Sequence, residues 1–181
     1  MRKMIGRISM GLALAAVLAV GGRAEELAPR YEQIGRVTVT LDGAPMELVV
    51  TRDTETGRAG AEQKKVMGSF LTVNVLGQTI GDEGAPGNPM VQATFQKQMG
   101  PMTLLSAEIF DSGFDTPMVM SPDGGEVGKV TLSFEGDHLS ARIEGRMQRL
   151  EGYAKGQPKA KDGAAPVPVV IEIEADVPAM K

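Results

Sequence analysis

The 181-residue chain contains a single histidine, His138. Acyl-transfer catalysis of the Ser–His–Asp kind needs an imidazole held against its nucleophile, and catalytic zinc usually takes two or three imidazoles. His138 follows Gly136-Asp137, a dipeptide suited to a two-residue turn, and the alternation around it sets the ring on the solvent side opposite Glu135. It reads as an exposed turn residue.

Carboxylates gather at Glu108, Asp111 and Asp115, and again at Asp82 and Glu83 with Asn88 nearby. Calcium takes six to eight oxygens, which acidic loops can supply. The run Asp111-Ser112-Gly113-Phe114-Asp115 lacks the acid spacing and terminal Glu of an EF-hand loop, so both groups read as solvated turns. A carboxylate-dependent hydrolase would need two of these acids to converge in a cleft. Gly124-Gly125 and Gly128-Lys129 resemble a phosphate loop only superficially. Asp123 stands where its first Gly belongs, and Val130 where Ser or Thr should follow the Lys.

Methionine is abundant, with 12 in the chain. Met118 and Met120 would share one strand face, and Met99 and Met102 flank Gly100-Pro101. Thioethers suit Cu(I), but methionine also fills irregular cores, and that is the role expected here. No residue is assigned as catalytic, cofactor-binding or metal-ligating, and no cofactor is implied.

The elements that would position these groups alternate with period two, the mark of half-buried strands. Val37, Val39 and Leu41 share a face, as do Met46, Leu48 and Val50 beyond Asp42-Gly43-Ala44-Pro45. A four-residue turn would set Leu41 opposite Met46, Val39 opposite Leu48 and Val37 opposite Val50. A second hairpin turns at Gly136-Asp137, setting Phe134 opposite Leu139, Leu132 opposite Ala141, Val130 opposite Ile143 and Lys129 opposite Glu144. Its second strand is expected to run on towards Arg149 with a bend at Gly145.

Further strands are expected over 69–76, 90–98, 102–110, 116–120 and 167–175, with turns at 81–89 and 121–128. Asp53–Lys65 reads as a polar loop with one helical turn at Ala61–Lys65, and 155–168 as a mobile loop. About eight or nine short strands spaced by Gly/Pro turns predict an all-β, antiparallel β-sandwich or barrel.

Residues 1–24 read as a signal peptide. Arg2, Lys3 and Arg7 precede an apolar run of 13 residues, Ile8 to Val20, and Gly22-Arg23-Ala24 offers a small-x-small cleavage site. The run is shorter than the roughly 20 residues a spanning helix needs. Cleavage after Ala24 would leave residues 25–181 as one β-domain, periplasmic or secreted, with no stable membrane anchor. A domain of this size buries about 70% of its unfolded surface and needs no disulfide. It could form none, because the chain is cysteine-free.

The leader holds four of the 19 Lys and Arg and none of the 23 acids, so the mature chain would carry about −8. That balance repels phosphate backbones. Five Phe, two Tyr and no Trp leave little surface on which bases or sugars could stack, so no nucleic-acid partner is expected. The sequence thus points to a non-enzymatic binding or envelope-associated module whose partner is a protein. The alternative is a carrier enclosing a small apolar ligand, and a Met-based copper binder and a hydrolase rank below both.

Overall fold

The computed structural model describes residues 26–66, 70–122 and 124–179. The expected leader, its cleavage site, Ser69 and Asp123 lie outside the described residues. No α-helix occurs among those described; eleven strands and one 3-10 turn carry the fold.

β1 (Tyr31–Leu41) and β2 (Ala44–Asp53) form the first hairpin. Asp42 (φ 49°) and Gly43 (φ 80°) both occupy the left-handed region, as a two-residue type I′ turn requires. The register is therefore Leu41 to Ala44, Val39 to Met46 and Val37 to Leu48, two residues away from that of a four-residue turn. Pro45 belongs to the strand, opposite Thr40. An even slip preserves which side chains face inward, so the core face is as expected although the partners differ.

β3 (Ala61–Val66) replaces the expected helical turn. Glu62-Gln63-Lys64-Lys65 has fair helical propensity, but tertiary pairing overrides it. β2 meets β4 (Phe70–Ile80) at the single pair Val49–Gln78 and then departs. The vacated edge of β4 takes β3 instead, from Ala61–Val75 to Val66–Phe70. Gly60 bridges the parting, donating its N–H to Thr51 O at 2.7 Å and accepting from Leu76 N at 2.6 Å.

β5 (Pro86–Lys97), β6 (Thr103–Phe110) and β7 (Met118–Met120) follow as a meander. β8 (Glu126–Glu135) and β9 (His138–Glu151) form the second hairpin, β10 (Lys159–Ala160) is a two-residue strand, and β11 (Val167–Asp176) returns between β9 and β1. The path β9-β11-β1-β2-β4-β5-β6-β7 closes back onto β9, giving an eight-stranded antiparallel barrel with β3, β8 and β10 attached.

The inward side chains form one core in which Phe95, Ile109, Met120, Leu139, Ile143, Met147 and Ile171 are fully buried. Met118 and Met120 lie within it, in the packing role methionine was expected to take, whereas Met99 is wholly exposed at a hairpin tip.

In the second hairpin the pairs from Glu135–His138 to Val130–Ile143 are those the alternation dictates. Beyond them the Lys129–Glu144 pair is absent. A bulge sets Gly128 and Lys129 together against Glu144, and Val127 then faces Gly145. A Cβ on Gly128 would stand 2.7 Å from Glu144 O, so this close approach needs glycine. The bend expected at Gly145 is thus produced by an extra residue on the facing strand. The loop before β11 lies against β9, where Gln148 Nε2 donates to Ala164 O (2.9 Å) and Arg146 Nη2 to Pro166 O (2.7 Å).

Candidate functional site

Two clusters of polar chemistry emerge, one near the Arg149 end of β9 and the other over its His138–Glu144 stretch. The first lies outside the barrel over β6 and β7. Alternation turns Ala107 and Ile109 inward, which turns Ser106, Glu108 and Phe110 outward. Glu108 should then be wet, yet it is only 4% exposed. Phe110 packs edge-on to Tyr153 with ring centroids 6.3 Å apart, and against Phe114 at 5.2 Å. The segment carrying Asp111–Asp115 and the turn carrying Tyr153 thereby cover this part of the sheet, and Tyr153 N donates to Asp115 O at 3.3 Å.

Glu108 Oε1 accepts from the Tyr153 hydroxyl at 3.4 Å, while Oε2 is buried with no hydrogen-bond partner. Burial pushes the Glu108 carboxyl above its ordinary pKa, against the opposing pull of the Ser106 and Tyr153 hydroxyls. Asp115 Oδ1 is likewise buried and unpartnered.

Asp111 behaves oppositely. It binds the Arg149 guanidinium through both oxygens, and that hydrogen bonding holds its carboxyl below the usual range. The three acids read as solvated turns are therefore a buried carboxyl, an ion-paired one and one with an interior oxygen. Sequence could not show this, because the covering aromatic Tyr153 lies 45 residues from Glu108. Chemically the cluster can hold a proton at Glu108. Among the described residues no group of three or more His, Asp or Glu side chains is arranged to hold a metal ion. Asp82 and Glu83 sit on the 3-10 turn Asp82–Gly84.

The second cluster covers the outer face of β1, β11, β9 and β8. Register aligns two rungs across these four strands. Thr38, Glu172, Arg142 and Thr131 form one, and Arg36, Glu174, Ser140 and Ser133 the other. Arg142 Nη1 pairs with Glu172, and its Nε lies 2.9 Å from Glu144 Oε1. Glu174 accepts from Ser140 Oγ at 2.8 Å through one oxygen and meets His138 Nε2 at 3.1 Å through the other. The second ring nitrogen, Nδ1, is 2.9 Å from Asp176 Oδ1. His138 is exposed, as expected, and its ring is engaged by Glu174 and Asp176 of β11. Those carboxylates, Asp176 first, raise its pKa.

The rungs floor a concavity of about 470 Å³. Arg36 lines it and also two neighbouring concavities. The acids facing Arg36 are already engaged by Arg142, Ser140 and His138, and among the described residues its guanidinium forms no ion pair. Sequence gave no sign of Arg36, since a single arginine in a polar alternation looks like any solvated strand position.

No protein-family model matches the chain, and no curated protein matches it. The fold itself, a β-barrel, suits a binding or carrier module.

Proposed function

We propose that the protein is an exported, non-enzymatic binding module that holds a protein partner across the outer face of β1, β11, β9 and β8. The observation that carries this reading is Arg36, which lines three neighbouring concavities and whose guanidinium forms no ion pair among the described residues. Around it Thr38, Thr131 and Ser133 add hydroxyls on a rigid sheet, so little ordering is needed on binding. A carboxylate of the partner would complete Arg36 with charge-assisted hydrogen bonds. Export rests on the basic start, apolar run and cleavage pattern of residues 1–24.

Both parts have direct tests. Intact mass of the protein recovered from the envelope fraction should show a chain beginning at Glu25; material retaining residues 1–20 would refute export. A photo-crosslinking side chain at Thr38, in whole cells, should give a discrete adduct that Arg36→Ala abolishes. No adduct, or one indifferent to Arg36→Ala, would refute the binding face.

A carrier of a small apolar ligand is the second reading. The inward positions are occupied by the chain's own side chains, so such a ligand would lie in the open groove of about 990 Å³ beside Leu27, Val49 and Ile80. An apolar fluorophore that brightens on binding, and stops doing so in Ile80→Asp, would favour it.

A further inference from the structure

We infer that β8 is a self-complementary edge through which two copies of this chain pair, antiparallel, into a two-fold dimer. β9 carries strands on both flanks, but β8 pairs with β9 alone among the described residues. Its other edge offers a row of free backbone donors and acceptors. The two-residue turn at Gly136-Asp137 makes Glu135–His138 the closing hydrogen-bonded pair. By the alternation of antiparallel ladders, the N–H and C=O groups of Val130, Leu132 and Phe134 then point away from β9.

The side chains of the same three residues mark the edge as unfinished. The inward residues of β9 up to the bend, Leu139, Ala141 and Ile143, are all buried, whereas Val130, Leu132 and Phe134 are only half-buried. Another strand beside β8 would cover them.

Charge selects a second copy as that strand. Centring the two-fold axis on Leu132 places Leu132 opposite its own equivalent, Val130 opposite Phe134 and Thr131 opposite Ser133. Lys129 then falls opposite Glu135, and symmetry repeats that pair at the other end. All inward residues remain on one face, and the outward-pointing amides of Val130, Leu132 and Phe134 meet their counterparts in register. Within one chain Lys129 and Glu135 do not face each other, and among the described residues neither forms an ion pair. Their opposite signs at matched distances from Leu132 find a use only between copies. This inference is independent of the Arg36 face and of export, so its failure would leave both untouched.

The test is a charge-reversal cycle read by sedimentation equilibrium. The chain is expressed at full length and purified as the cell processes it. The unaltered protein should show a concentration-dependent monomer–dimer equilibrium. Lys129→Glu and Glu135→Lys should each weaken dimerisation by about tenfold or more, since each turns two attractive cross-strand pairs into repulsive ones. The double variant should recover it. Thermal melts of dilute protein should be unchanged in all three variants, which excludes unfolding as the cause. A protein that stays monomeric at every concentration overturns the inference, as does a dimer indifferent to the single reversals or not recovered in the double variant.

Discussion

Asp111 and Arg149 are joined by two parallel contacts, Oδ2 lying 2.8 Å from Nη2, and Arg149 Nη1 also donates to Thr116 O at 2.9 Å. This pair ties the end of β6 to the far end of β9, across the short strand β7. Its hydrogen bonds hold the Asp111 carboxyl below the ordinary range. A carboxyl whose pKa is lowered by folding adds stability above its unfolded value and loses it as pH falls through the folded one. Asp111→Asn should therefore cost about 1–2 kcal/mol in urea melts at pH 7, the lower part of the range for a charge-assisted bond, because the pair is partly exposed. The difference should shrink in acid. An equal loss at pH 7 and pH 3 would mean that shape rather than charge carries the effect.

Glu108 should answer pH with the opposite sign. Burial raises its pKa, so the folded protein holds the proton more tightly than the unfolded chain, and ionisation costs stability above the raised value. Glu108→Gln removes that cost while keeping the shape. The variant should be more stable than the unaltered protein by about 1 kcal/mol at pH 8. The gain should vanish below pH 4, where Glu108 is protonated in both states. Melts at several pH values would decide it, and a Glu108→Gln variant less stable at pH 8 would show that the carboxylate is held by favourable contacts.

His138 links the β8–β9 hairpin to β11 through Asp176 and Glu174. Its raised pKa means that the stability it adds is fully present below the unfolded value and is lost as pH rises through the folded one. The ring is 55% exposed, so solvent screens most of the attraction. His138→Ala should cost about 0.5 kcal/mol near pH 5.5 and nothing measurable at pH 9. An NMR titration of the single imidazole should show a pKa above that of a free histidine.

These pH responses also mark where sequence runs out. Alternation around Leu132 and Ala141 sufficed to read the second hairpin as far as Val130–Ile143, because a two-residue turn leaves one register that keeps both apolar sets inward. It did not show the bulge beyond, which breaks the Lys129–Glu144 pair. It erred by two residues at Asp42-Gly43, where even slips keep the same faces and only turn conformation decides. It missed β3, because Glu62–Lys65 pairs with β4 only as a consequence of β2 leaving that edge. The sites are harder still. Glu108 and Tyr153 meet across 45 positions, and His138 meets Glu174 and Asp176 across 36 and 38. Strand order, which no local pattern encodes, brings them together.

Two phenylalanines, Phe95 on the barrel strand β5 and Phe134 on the attached strand β8, test how far the core extends. Phe95 points inward from β5 between Val73 and Leu104 and has no exposed surface. Truncating it leaves a cavity that strands on both sides prevent from collapsing, and Phe95→Ala should cost about 3–5 kcal/mol. Phe134 points the same way from β8, opposite Leu139, but a strand lies on one side of it only and the ring is half-buried. Simple alternation would give it the full core penalty. Its partial burial lowers the expected cost of Phe134→Ala to about 1–2 kcal/mol in dilute protein. If the inward face of β8 is covered in the dimer, that cost should grow as concentration rises, while the cost of Phe95→Ala stays constant. Denaturant melts of both variants at two concentrations measure the difference. Equal penalties in dilute protein would show that β8 already belongs to the closed core, leaving no apolar face for a second copy to cover.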